Sequence, residues 1–339
     1  MKAAVYQGNR QIGIAVSDRR PPRPGEVRIA VSHCGICGTD LHIFLGDLDR
    51  RVRPPQVIGH EVSGVIEETG EGVSGWQPGD RVTVLPVVSC GACATCLAGH
   101  AHVCPQLKVL GVDAMGGMQR YWNAPAANLF RLPDSLPLAH GALIEPLAVA
   151  CHDVRLAALR PGEKVLIIGG GPIGALCALV ARHAGAAVAV VEVNPFRVEL
   201  LRKMHLAVVN PKETDAGKFV QDWAGPEGAD VAFEVSGTQA GADLMAAALR
   251  PKGRVVLVSV YAFRPQVDLY RFFARELTLL GVRLYDASDF RQALELAAAG
   301  VIPTDTFLTA TRPIDEVQQA FEDLASGGNS MKVLIDCRA

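Results

Sequence analysis

Two sets of metal-binding side chains stand out in the first third of the chain. Cys90, Cys93, Cys96 and Cys104 form a C-x2-C-x2-C-x7-C cluster. Four thiolates with no position left for a water suit a closed, tetrahedral structural zinc. Disulfides and a four-iron cluster are the alternatives at this spacing. Close Cys-x-x-Cys steps without a secretory signal favour metal over disulfide. A glycine-rich surround with no other electron-transfer motif favours zinc over iron. The second set is Cys37 in C-G-I-C-G-T-D-L-H and His60 in G-H-E. Mixed sulfur, nitrogen and oxygen donors suit a zinc that keeps a place for substrate. Two acids compete for the third ligand position, Glu61 beside His60 and Glu145 in I-E-P-L. Adjacent side chains in an extended segment point to opposite faces, and spacing leaves both acids open.

Nucleotide chemistry is written between residues 164 and 197. Lys164-Val165-Leu166-Ile167-Ile168 runs into Gly169-Gly170-Gly171-Pro172-Ile173-Gly174, then into a helical pattern that buries Leu176, Leu179 and Val180. In such a strand–turn–helix, Gly169 permits the tight turn, Gly171 lets backbone approach a pyrophosphate, and Gly174 lets helix and strand pack closely. Free N–H groups and the dipole of the helix N-terminus favour the phosphates. Gly169, Gly171, Pro172, Ile173 and Gly174 are therefore candidate cofactor contacts. Glu192 ends the next apolar run, 18 residues past Gly174. An acid there accepts hydrogen bonds from ribose hydroxyls and repels a 2′-phosphate, which favours NAD over NADP. Arg197 can sit over the same ribose, and it is equally able to support a 2′-phosphate.

These groups need a scaffold, and the chain is long enough for two domains at 339 residues. Residues 1–150 carry short apolar runs such as Glu26–Val31, Gly64–Glu68 and Asp80–Leu85, bounded by Pro-Gly turns, which predicts an irregular β-rich domain. From Lys164 the rhythm becomes strand–helix alternation. Lys164–Ile168, Ala187–Val193, Asp230–Val235 and Arg254–Val260 are the expected strands of an α/β parallel sheet. Further on, Ser288 is expected to cap a helix that stops at Gly300, and Asp315 to begin another. Met331–Asp336 closes the chain as a strand. The apolar fraction of 49% permits large cores, and the net charge of −2 has no basic block that would suit nucleic acid or an anionic membrane surface. No apolar run is long enough to span a bilayer. Nine cysteines with no signal-peptide pattern point to a reducing, cytoplasmic setting. Cys34, Cys151, Cys177 and Cys337 lack metal spacing and are expected as core residues.

The motifs C-G-I-C-G-T-D-L-H, G-H-E-V-S-G, the four-cysteine lobe, E-P-L-A-V-A and G-G-G-P-I-G occur in an order that resembles the zinc-containing medium-chain alcohol dehydrogenases. The resemblance covers essentially the whole chain. It is closest to the polyol and sugar-acid branch (sorbitol, butanediol and hexonate dehydrogenases), with threonine dehydrogenase a near relative. It implies a GroES-like catalytic domain over 1–150 and 281–339 and a doubly wound Rossmann domain over 151–280. It implies two zinc ions per chain, with Cys37, His60 and Glu145 holding the catalytic one and Glu61 as an exchangeable neighbour. It also implies a homodimer or homotetramer, and an apolar strand near Leu277–Val282 is the candidate subunit edge.

The activity implied is hydride transfer from a secondary alcohol of a polyol or sugar acid to NAD. Thr39, two residues after Cys37, has a hydroxyl able to accept the alcohol proton and pass it on, and the resemblance makes His42 the next carrier. Arg283 matches a basic position that touches substrate hydroxyls in polyol dehydrogenases and can hold a carboxylate bidentately. Phe44 and Tyr121 are candidates for the pocket wall, with core packing as the competing role. Three departures matter. Ser259-Val260-Tyr261 stands where many relatives have a glycine near the nicotinamide. Gln119-Arg120-Tyr121 replaces the commoner small-residue–Glu–Tyr. Ala148-Val149 replaces the Gly-Asn typical of threonine dehydrogenases. The rival readings are a threonine 3-dehydrogenase or simple-alcohol dehydrogenase and, from another class, a non-catalytic nucleotide-binding protein on the same scaffold.

Overall fold

The β-branched and apolar residues of Glu26–Gly35 favour an extended chain. In the computed structural model, which describes residues 1–338, that strand is the hub of a seven-stranded sheet. The sheet order is Leu129–Arg131, Arg81–Val84, Glu61–Thr69, Glu26–Gly35, Lys332–Asp336 and Leu308–Pro313, with Tyr121–Pro125 also paired to Glu26–Gly35. All pairs are antiparallel except the last two strands of that order. Ile29, Val31, Val62, Ile66, Phe44 and Phe321 fill the adjoining core. The register sets Gly35 opposite Glu61 on one side and Leu334 on the other. Three distant segments therefore meet at one end of the hub strand.

This sheet belongs to the first of two units, made of Met1–Glu145, Asp286–Ala299 and the chain from Leu308 onward. The second unit comprises Pro146–Tyr285 and Gly300–Phe307. The divide near 150 expected from the sequence thus falls earlier, in the first turn of a continuous helix, Ile144–Leu156. The later divide falls after Tyr285 rather than at 280, and Gly300–Phe307 returns to the second unit. No periodic signal marks that eight-residue return, although Ile302 and Phe307 are buried.

The second unit holds a six-stranded, wholly parallel sheet in the order Ala207–Val209, Ala187–Val191, Lys164–Ile168, Ala229–Glu234, Leu249–Leu257 and Thr278–Gly281. The strand order reverses between Lys164–Ile168 and Ala229–Glu234. In open α/β sheets, ligands bind outside the carboxyl ends of the strands at such a point. Some expected ends differ. The fifth strand stops at Leu257, and Val260 beyond it is 85% exposed. The helix expected to be capped by Ser288 spans Ala287–Ala298 and is capped by Asp286, whose carboxylate accepts from Ser288 N–H at 2.8 Å. The acid two residues upstream takes the cap because the same oxygen also accepts from Asp289 N–H at 3.3 Å, while the Asp289 carboxylate accepts from Asp286 N–H in return. The helix expected from Asp315 begins as a 3-10 turn, Ile314–Glu316, and becomes α-helical over Val317–Ala325. No helix among the described residues is long and apolar enough to cross a membrane.

Candidate active site and metal centres

The four-cysteine lobe forms as its spacing predicts. Cys93–Cys96, Cys104–Cys90, Cys93–Cys104 and Cys90–Cys96 sulfurs lie 3.4, 3.6, 3.8 and 3.9 Å apart. A zinc with four sulfurs at about 2.3 Å needs tetrahedral edges of about 3.8 Å, so the donor set fits that ion. None of these sulfurs is in a disulfide. Backbone N–H groups aim at the sulfurs, Cys93 N at Cys90, Cys96 N at Cys93 and Gln106 N at Cys104. The N–H groups of Ala92 and Cys93 pull the Cys90 thiol down to about 6. Burial, with Cys93 and Cys104 beside it, pushes Cys96 up to about 11. Thiols this close cannot all ionise without a cation to share, which is the chemistry of a closed metal centre. The helix Ala94–Leu97 buries no residue, so the metal supplies order that no core provides.

The second donor set sits at the end of the hub strand. Cys37 precedes the helix Gly38–Leu45, and Gly59, at φ +95°, turns the chain just before His60. Ligand atoms of Cys37, His60 and Glu61 all lie within 4.8 Å of one another. His60 and Glu61 were expected to point apart as neighbours on a strand. They converge because the strand begins only at Glu61. Glu145, the other candidate ligand, is buried in the first turn of Ile144–Leu156 and lies outside that group of three.

Two residues not singled out from sequence organise this site. Asp40 is fully buried; one oxygen accepts from Cys37 N–H at 2.9 Å and the other faces His60 Nδ1 at 3.5 Å. A carboxylate behind a ligating imidazole fixes its tautomer and leaves Nε2 for metal. Burial works against an imidazolium here, but Asp40 and Cys37 outweigh it and hold the His60 pKa well above its ordinary value. The positive charge these anions attract is one that a divalent cation can supply instead, so this donor set also fits zinc. The second residue is Lys332, buried, which donates to Glu61 Oε1 at 2.5 Å and to the Ile36 carbonyl at 2.9 Å. Burial disfavours its ammonium, yet Glu61 and Cys37 raise its pKa above the ordinary value. Gly35 makes room for the pair, because a Cβ there would overlap the Glu61 carboxylate. An acid three residues after Cys37, at a helix start, was a usable signal for Asp40. Nothing local marks Lys332.

Thr39 is half-buried, and its hydroxyl has no hydrogen-bond partner among the described residues. His42, on the same helix, pairs through Nδ1 with Asp47 Oδ2 at 2.8 Å, which leaves Nε2 available. Phe44 is buried against Phe321, with ring centroids 5.4 Å apart, in the core of the first unit. Tyr121 pairs with Ala30, five residues before Gly35 and so about 17 Å up the strand. Its ring is flanked by the Arg19 and Arg120 guanidinium groups, each 5.0 Å away. Neither aromatic joins the Cys37–His60 group. Arg283 is exposed and belongs to the second unit.

In the second unit the glycine turn has the expected geometry. Gly169 has φ +102°, and a Cβ on Gly174 would overlap the Gly169 carbonyl oxygen. Gly171 caps the helix Pro172–His183, with Pro172 in its first turn. Glu192 is buried, and its carboxylate accepts from Gly170 N–H at 2.8 Å and from Val193 and Asn194 N–H at 2.7 Å each. The acid thus holds the turn. A Cβ on Gly171 would lie 3.5 Å from Arg197 Nη1, so the guanidinium stands over the turn.

Residues 23–134 match the alcohol dehydrogenase GroES-like domain, and residues 172–299 match the zinc-binding dehydrogenase domain. The chain is 44% identical over 339 residues to the 2-dehydro-3-deoxy-L-galactonate 5-dehydrogenase of Pseudoalteromonas atlantica, covering 100% of this chain and 99% of that protein. It is 37% identical over 315 residues to the L-threonine 3-dehydrogenase of Pyrococcus horikoshii, 90% of each chain. A Sinorhizobium meliloti 1021 chain, solved with NADP bound and described provisionally as a zinc-binding dehydrogenase, superposes with a TM-score of 0.93 at 31% identity, covering 99% and 98% of the two chains. With matches through both units and both zinc donor sets present, the chain belongs to the zinc-binding alcohol dehydrogenase family and is a zinc- and nicotinamide-dependent oxidoreductase.

Proposed function

We propose that the protein oxidises a secondary hydroxyl of a sugar acid, within the wider polyol and sugar-acid class, using NAD⁺. The observation that carries this reading is the end-to-end similarity to a sugar-acid 5-dehydrogenase. Cys37, His60 and Glu145 would hold a zinc that would supply Lewis acidity to the substrate oxygen, of the kind that brings the pKa of water from about 15.7 to about 7, and a bound nicotinamide would be the hydride acceptor. The family resemblance makes Glu145 the third protein ligand, and the Lys332 ammonium already answers the Glu61 charge. Glu61 remains an exchangeable neighbour. Thr39 takes the substrate hydroxyl proton, and His42 delivers it to solvent through Nε2 while Asp47 holds Nδ1. Arg283 is the residue we assign to the substrate's polar groups, with the guanidinium suited to a carboxylate. Glu192, with acceptor capacity left on Oε2, favours NAD over NADP.

The test is a panel of hexonates, polyols, threonine and simple alcohols with NAD⁺ and NADP⁺, followed by NADH absorbance before and after chelation. Chelator-sensitive turnover of a sugar acid with NAD⁺ is expected. Faster turnover of threonine would replace this reading with the threonine 3-dehydrogenase one, which the Pyrococcus similarity favours and Ala148-Val149 opposes. Tight NADH binding with silence across the panel would favour a non-catalytic role.

The reading includes a cytoplasmic setting, supported by nine cysteines that are free in the structure. It also includes a homo-oligomer, dimer or tetramer, joined at the edge strand Thr278–Gly281. That strand has one unpaired side, and Leu279 on it is 47% exposed. The neighbouring helix Leu269–Arg275 exposes Leu269, Tyr270 and Phe273. An uncovered edge beside apolar side chains is a template for a second copy. Leu279→Lys is expected to shift the mass measured by light scattering to that of the monomer. An unchanged oligomer would place the interface elsewhere.

A further inference from the structure

Glu234 ends the strand Ala229–Glu234 and is fully buried, yet no step above uses it. Its carboxylate accepts from Ser236 N–H at 2.9 Å, Ser236 Oγ–H at 2.5 Å, Gly237 N–H at 3.2 Å and the Ser259 hydroxyl. Its main-chain carbonyl accepts from Val258 N–H at 3.0 Å and Ser259 N–H at 3.1 Å. One residue therefore ties together the segments that leave two adjacent strands. Gly241 leaves space for it, because a Cβ there would overlap the Ser236 hydroxyl and the Glu234 carboxylate. A buried carboxylate is costly unless its acceptor sites are filled, and here donors from both segments fill them.

The location gives the cluster its meaning. Glu234 is in register with Ile168, the residue that enters the glycine turn. A Cβ on Gly169 would come within 2.9 to 3.1 Å of Ser236 atoms, so the Ser236 segment packs directly on that turn. These strands flank the point where the order reverses, and the crevice for a dinucleotide lies outside their ends. Ser259 belongs to the Ser259-Val260-Tyr261 stretch, which stands where many relatives have a glycine near the nicotinamide.

We propose that Glu234, Ser236 and Ser259 form a buried clamp that positions the nicotinamide end of the cofactor site, with Ser259 as its latch. The proposal rests on the reading of this unit as nicotinamide-binding. Ser259 is a positioning residue that touches the clamp acid. Removing its hydroxyl leaves the carboxylate short of one donor and loosens the side-chain tie between the two segments, while the Glu234 carbonyl keeps the Val258 and Ser259 N–H groups.

The test compares Ser259→Ala, Ser259→Thr and, as a stability control, Asp230→Asn. Asp230 lies at the other end of the same strand and accepts from Lys164 N–H at 2.7 Å and Arg250 Nε at 2.6 Å. NADH affinity is read by fluorescence titration, and amide exchange is read on cofactor-free protein. Ser259→Ala is expected to weaken NADH binding about tenfold, the scale of one hydrogen bond to a charged group, and to speed exchange at residues 236–238. Ser259→Thr is expected to restore both, and Asp230→Asn to change neither beyond its effect on melting temperature. NADH affinity within twofold of wild type in Ser259→Ala, or an equal loss in Asp230→Asn, overturns the clamp. Wild-type protein that binds no NADH overturns the nicotinamide reading and the clamp with it.

Discussion

His60→Ala is expected to abolish turnover, by at least about a thousandfold, while the chain keeps one zinc and its fold. The imidazole is one of three protein donors at an open site. Its loss leaves Cys37 and an acid, too few to hold the ion in catalytic geometry. Cys96→Ser is expected to show a different pattern. The lobe around Cys90, Cys93, Cys96 and Cys104 has little core of its own, so metal binding there is folding energy. The variant should lose the lobe zinc, melt earlier and become protease-sensitive in the loop, with the Cys37–His60 donors untouched. Zinc per chain by mass spectrometry, melting temperature and kcat/KM separate the two cases. Two zinc ions retained in either variant would contradict the assignment of that site.

Lys332→Met carries the largest expected cost in stability, about 3–5 kcal/mol, because removing one partner leaves a buried charge unpaired. Glu61 and Lys332 are both almost wholly shielded from water. The Glu61 carboxylate occupies the space that a Cβ on Gly35 would take. The double variant Lys332→Met with Glu61→Gln removes both charges and is expected to recover most of the loss. Denaturant midpoints of the wild type, both single variants and the double variant form the cycle that measures this coupling. A near-zero coupling energy would mean that Glu61 is charged by the site metal and not held by the lysine.

The sequence alone was enough for features whose cause is local. The C-x2-C-x2-C-x7-C lobe folds around its own spacing, and N–H groups within the loop aim at the sulfurs. The Gly169–Gly174 turn is equally self-contained. Gly169 needs a positive φ and Gly174 cannot carry a Cβ, and both demands arise within six residues. Alternating strand and helix patterns located four strands of the parallel sheet, but ends drifted where an apolar residue such as Val260 sits in solvent.

Tertiary structure decided what depends on partners far apart in the chain. Glu61 and Lys332 are 271 residues apart, and strand register alone brings them together across Gly35. Asp40 is a plain helix-start acid until His60 arrives opposite it. Phe44, a candidate pocket residue by sequence, is claimed by Phe321 from the C-terminal helix. Ser259 reads as a departure from family pattern until Glu234 is found beneath it. The physical reason is the same in each case. Spacing and backbone preference act over a few residues, whereas the burial of a charge or ring is settled by whichever distant side chain the fold delivers to it.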